Sequence, residues 1–83
     1  MAQTIYIVSK ERQDANGQIQ SSTPISAFTD RKSANAFIHD QYIKNIGKAG
    51  VEILHHSDGH LLYSVINGKR IVEIFIDQVG LED

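Results

Sequence analysis

Three dipeptides, Asn16-Gly17, Asp58-Gly59 and Asn67-Gly68, limit the fold of this chain more than any other feature. Asparagine or aspartate followed by glycine tolerates the positive φ angles that a tight type I′ turn demands at both central positions. Where such a pair separates runs rich in β-branched and aromatic residues, the chain reverses as a β-hairpin. Residues 4–9 are one such run, and the polar stretch 10–23 that follows carries Asn16-Gly17. Pro24 has no N–H to give to a ladder, so the second strand is expected to begin at Ile25 and end near Phe28. The other two turns lie among runs 51–56, 60–66 and 70–77, which predicts a three-stranded antiparallel meander.

One helical pattern separates these strand groups. Thr29-Asp30 offers side-chain acceptors for the free amides of a first turn. Ala34, Phe37, Ile38, Tyr42 and Ile46 then recur at spacings of three and four, and Gly47 and Gly50 supply a stop. A helix over 31–46 spans about 24 Å, matching strands of roughly seven residues. The fold class is therefore α+β with the order ββαβββ: one helix packed on a mostly antiparallel sheet that ends in the meander. At 83 residues the chain suits a single domain, 1–83.

Register turns this outline into a statement about surfaces. A two-residue turn at Asn67-Gly68 pairs Val65 with Arg70, Tyr63 with Val72 and Leu61 with Ile74, an almost wholly apolar face. The opposite face receives Leu62, Ser64, Ile66, Ile71, Glu73 and Phe75. The same treatment of Asp58-Gly59 adds Val51, Ile53 and His55 to it and leaves Glu52 on the apolar face opposite Val65. That misfit marks the first meander turn as a departure from a simple two-residue connection. Both faces are apolar, yet a helix about 10 Å wide shields roughly two strands of five. An uncovered apolar face predicts an interface, centred on Ile53, Leu62, Ile71 and Phe75. The alternative is a curled sheet with segment 10–23 folded over that face.

Composition removes several function classes. There is no cysteine, which excludes disulfide scaffolds, thiolate zinc sites and cysteine nucleophiles. The start, Met1 to Val8, has no basic region and only a four-residue apolar run, so a cytoplasmic protein without a membrane span is expected. Eight basic and ten acidic side chains are mixed along the chain, and no basic stripe is visible. Nucleic acid therefore stands behind protein as the expected partner, because phosphate neutralisation supplies most affinity for polyanions.

The densest polar cluster is His55-His56-Ser57-Asp58-Gly59-His60. A metal needs ligands converging from three or four directions, but His55 and His56 are consecutive in a strand and point to opposite faces. His55 and His60 share a face and remain candidates for a weak surface site; no metal or other cofactor is expected. Glu73 is the one acid in a strongly apolar strand, read as solvated or paired at an interface rather than as a catalytic acid. Ser9, Ser26, Ser57 and Ser64 lack a nucleophile elbow, and the scattered glycines form no phosphate loop. No catalytic residue is assigned, and an enzyme is not expected.

The segment Ile25-Ser26-Ala27-Phe28-Thr29-Asp30-Arg31-Lys32-Ser33-Ala34-Asn35-Ala36-Phe37-Ile38, with the Ile5-Tyr6-Ile7-Val8 strand, resembles a pattern in small uncharacterised bacterial and phage accessory proteins. The likeness covers about half the chain; the added meander departs from the shorter versions. It implies an accessory protein of Gram-positive bacteria or their mobile elements and carries no activity or site residues. The expected function is a non-enzymatic protein-interaction module, a homodimer that buries the uncovered sheet face and serves as a regulator or inhibitor from a mobile element. Two alternatives stand beside it: a nucleic-acid-associated regulator whose basic residues gather on dimerisation, and a weak metal- or ligand-binding protein using His55 and His60.

Overall fold

The computed structural model describes the backbone of residues 3–81 and the side chains of residues 3–80. Its elements follow the expected ββαβββ order: β1 (Gln3–Asp14), β2 (Ile19–Phe28), α1 (Arg31–Asn45), β3 (Glu52–Ser57), β4 (His60–Val65) and β5 (Arg70–Leu81). The five strands form one antiparallel sheet in the order β2-β1-β5-β4-β3, so β1 and β5, from opposite ends of the described chain, lie side by side near its centre.

The helix crosses one face of the sheet. It begins at Asp30, whose Oδ1 accepts from the Ser33 amide at 2.8 Å and whose Oδ2 accepts from the Ser33 hydroxyl at 2.9 Å. The helix ends one residue earlier than the apolar spacing predicts. Ile46 leaves helical geometry at ψ 131° and is half exposed. Ala34 and Ile38 press onto Val8, Leu61, Tyr63, Val72 and Ile74, and these seven residues are the buried core. Gly59, at the β3–β4 turn beneath the helix start, has a φ of +78°, and a Cβ there would meet the Arg31 guanidinium at 3.0 Å and Ile76 at 3.3 Å. The positive φ favours glycine at that position, and a side chain there would have to displace the ends of Arg31 and Ile76.

The β4–β5 register is the expected one, with Val65 opposite Arg70, Tyr63 opposite Val72 and Leu61 opposite Ile74. Asn67 and Gly68 both take positive φ, as a type I′ turn needs. Three expectations need correction. First, the polar stretch 10–23 is no covering loop: β1 runs on to Asp14 and β2 starts at Ile19, around a turn in which the Asp14 carboxylate accepts from the amides of Asn16 and Gln18. Pairing with β5 along the whole of β1 supplies backbone partners that no side-chain pattern advertises. Pro24 is tolerated because β2 is an edge strand. Second, bulges at Val8/Ser9 and Arg12/Gln13 place Val8 opposite Ser26 and Tyr6 opposite Phe28, not Ile25 and Ala27. Third, a bulge between Ile53 and His55 inserts one residue into β3. A one-residue insertion exchanges faces, so Ile53 pairs with Tyr63 and packs with Val51 against the core under the helix. Ile53 therefore does not belong to the opposite face.

Candidate functional site

Strand alternation places Ile5, Ile7, Ser9, Glu11 and Gln13 of β1, Leu62 and Ser64 of β4, and Ile71, Glu73, Phe75 and Asp77 of β5 on the face away from the helix. Among the described residues no second layer covers it. The molecule measures 47 × 25 × 16 Å, and 16 Å is about the depth of one sheet and one helix. Leu62, Ile71 and Phe75 lie together on this open face, only partly buried by their in-plane neighbours.

A polar centre interrupts the apolar field. Glu11 stands directly opposite Glu73 across β1 and β5, an arrangement that costs free energy unless each carboxylate is engaged elsewhere. Both are. Gln13 Nε2 donates to Glu11 Oε1 at 2.9 Å, and Glu73 Oε2 lies 2.6 Å from His60 Nε2. Glu73 is thus paired within its own sheet, with His60, which the reading of it as solvated or paired at an interface did not anticipate. His55 joins the group: its ring centroid is 5.0 Å from that of His60, and its Nε2 is 3.1 Å from Ser57 Oγ. His56 points the other way and stacks on Tyr42 of the helix, with centroids 4.1 Å apart and His39 close by. Among the described residues no three His, Asp or Glu side chains are placed to hold a metal ion.

Charge is unevenly divided between the two faces. Glu11, Glu52, Glu73 and Asp77 belong to the open face, which carries no Lys or Arg among the described residues. Lys10 and Arg12 of β1 project to the helix side, with Arg70 of β5 in line on the same face. There they border a slot of about 200 Å³ with Ser21, Thr23 and Ile25 of β2. Burial, the neighbouring Arg12 and then Lys48 all hold the Lys10 ammonium below its usual pKa. Burial pushes the nearby Tyr63 phenol up, opposed by Arg12 and by a hydrogen bond with Asn45.

Sequence reasoning missed both the Glu11–Glu73 pair and this cationic slot. The signal was present in Lys10-Glu11-Arg12. Alternating signs in a helix or loop cancel, but in a strand the period of two sorts them onto opposite faces. A larger hollow of about 350 Å³ beside Gly50, Glu52, Ser64 and Asn67 lies where the Asn67 amide donates to the Gly50 carbonyl. Glu52 is the only charged side chain lining it, so it gathers no set of catalytic or ligating groups. No helix among the described residues is long and apolar enough to cross a membrane. Comparison with family models, curated protein sequences and solved structures finds no match.

Proposed function

We propose that the chain is a non-enzymatic interaction module that docks a protein partner on the open face of its sheet. The observation that carries this reading is an uncovered face holding Leu62, Ile71 and Phe75 around the Glu11–Glu73 centre. A specific complex buries roughly 800 Å² per partner, and the face spans strands β1, β5 and β4 of the sheet. The edges of the sheet favour this face as the place of contact. β2 is blunted by Pro24 and two register shifts, and β3 is six residues long with a bulge. Both are devices that discourage strand addition.

Charge selects the occupant. A second copy docked face to face would set Glu11, Glu52, Glu73 and Asp77 against the same four carboxylates, whereas a surface with apolar side chains and a Lys or Arg rim would complement them. The partner is therefore a basic, apolar protein surface, and the module acts on it by occluding that surface.

Native mass spectrometry of untagged protein, purified without a metal column, reads the occupant first. The expected result is a monomer. Wild type and Phe75→Asp then serve as paired baits, and a partner held by wild type and lost with Phe75→Asp is expected, since an unpaired charge in a dry interface is costly. A dimer that Phe75→Asp converts to soluble monomer would install a second copy on this face instead. Association untouched by the substitution would overturn the reading altogether.

A further inference from the structure

The helix-bearing face carries a feature that the docking reading does not use. We propose that the slot between β1 and β2, walled by Lys10, Arg12, Ser21 and Thr23, is a binding site for a phosphate group. The register sets Lys10 opposite Thr23 and Arg12 opposite Ser21, so two cations face two hydroxyls across one strand spacing. The slot encloses about 200 Å³, with Ile25 as an apolar wall. Lys48, in the loop after α1, comes near enough for its charge to act on Lys10.

These groups suit a tetrahedral oxyanion. The guanidinium presents a fork of N–H donors, the ammonium a point charge, and each hydroxyl one further donor. Four donating side chains outnumber the two oxygens of a carboxylate and match the terminal oxygens of a phosphate, with volume left for part of the group it is attached to. Among the described residues no carboxylate forms an ion pair with Lys10 or Arg12; the one ion pair is His60 with Glu73 on the other face. Asp14, next on this side of β1, already accepts from the amides of Asn16 and Gln18 and from Gln20 Nε2. Crowded like charges with a part-buried lysine among them cost stability, and a bound anion offsets that cost.

The phosphate can belong to a small phosphorylated molecule or to a nucleic-acid strand, and one titration separates the sources. Amide spectra are followed while inorganic phosphate is added, with sodium chloride at matched ionic strength as the control. Saturable shifts at Lys10, Arg12, Ser21 and Thr23, absent in chloride, are expected. Arg12→Gln should weaken binding about tenfold or more, the loss expected for a charge-assisted hydrogen bond. Arg12 is exposed, so the variant keeps the fold; the melting midpoint checks this, and Ser21→Ala on the exposed edge strand gives a second reading. A single-stranded oligonucleotide then binds at the same residues. Affinity well above that of free phosphate and falling steeply with salt assigns the site to a strand backbone. Affinity no better than that of free phosphate assigns it to a small phosphorylated ligand. Equal shifts in chloride, or unchanged affinity in both variants, overturn the proposal. The slot and the docking face are on opposite sides of the sheet, so Phe75→Asp protein should bind phosphate as wild type does.

Discussion

At the scale of single residues, the structure turns on which polar atoms find partners. Asp30 does: two bonds to Ser33, through its amide and its hydroxyl, hold its carboxyl below the usual carboxylate range, and Lys32 assists. A carboxyl whose pKa is lower folded than unfolded stabilises the fold above its unfolded pKa. That contribution is lost as pH falls through the folded value. Asp30→Asn keeps a capping acceptor but removes this titration. Its unfolding midpoint should therefore depend less on pH in the acid range than that of wild type, as followed by circular dichroism. Asn35 is the opposite case, since its Oδ1 is buried without a hydrogen-bond partner. Asn35→Ala removes the orphan and improves helix propensity, so denaturant titration should show a gain of about 1 kcal/mol.

At the scale of elements, the core pairs of β4 and β5 are the most constrained. Leu61 and Ile74 are opposite neighbours and fully buried. Ile74→Ala should cost about 2–5 kcal/mol in urea unfolding. The β3 bulge makes a sharper prediction. Deleting Leu54 removes the extra residue and leaves Ile53 opposite Tyr63 and His55 opposite Leu62 in an unbroken ladder, so Ile53 and Val51 keep the core side and urea unfolding should show little loss of stability. The element order, the helix start and the β4–β5 register were all legible in the sequence, because turn dipeptides, caps and apolar runs are local signals. The bulges in β2 and β3 were not. A bulge is set by how a strand meets its neighbours, and Glu52 falling on an apolar face was its only trace. The length of β1 and β2 was hidden for a related reason: Lys10 to Asp14 and Ile19 to Thr23 are polar, yet their backbone pairs in the sheet. Of the open face, Leu62, Ile71 and Phe75 were readable from the β4–β5 turn. The Glu11–Glu73 centre was not, because it depends on β1 lying beside β5, a contact that no turn signal encodes.

At the scale of the whole molecule, shape and charge point the same way. The Cα radius of gyration is 13.8 Å, against about 12 Å expected for a compact chain of this length. The excess is that of a two-layer slab with one side bare. Such a slab has an acidic, apolar side and a basic, hydroxyl-lined one. If the docked partner is basic, raising salt should weaken the complex mainly by slowing association, which stopped-flow mixing at several ionic strengths would detect.

The central place of β5 has a consequence for how the polypeptide acquires its structure. The β1–β2 hairpin and the β3–β4 hairpin do not pair with each other; each joins the sheet only through β5. An isolated two-stranded hairpin is marginal in water. Until residues 70–81 are synthesised, the growing chain therefore holds two unsupported ribbons and a helix with half a platform. β5 then meets β4 through a local turn and β1 through the one long-range seam. Such long-range closure is slow compared with local pairing, and the interval before it is when this chain is most exposed to aggregation and proteolysis.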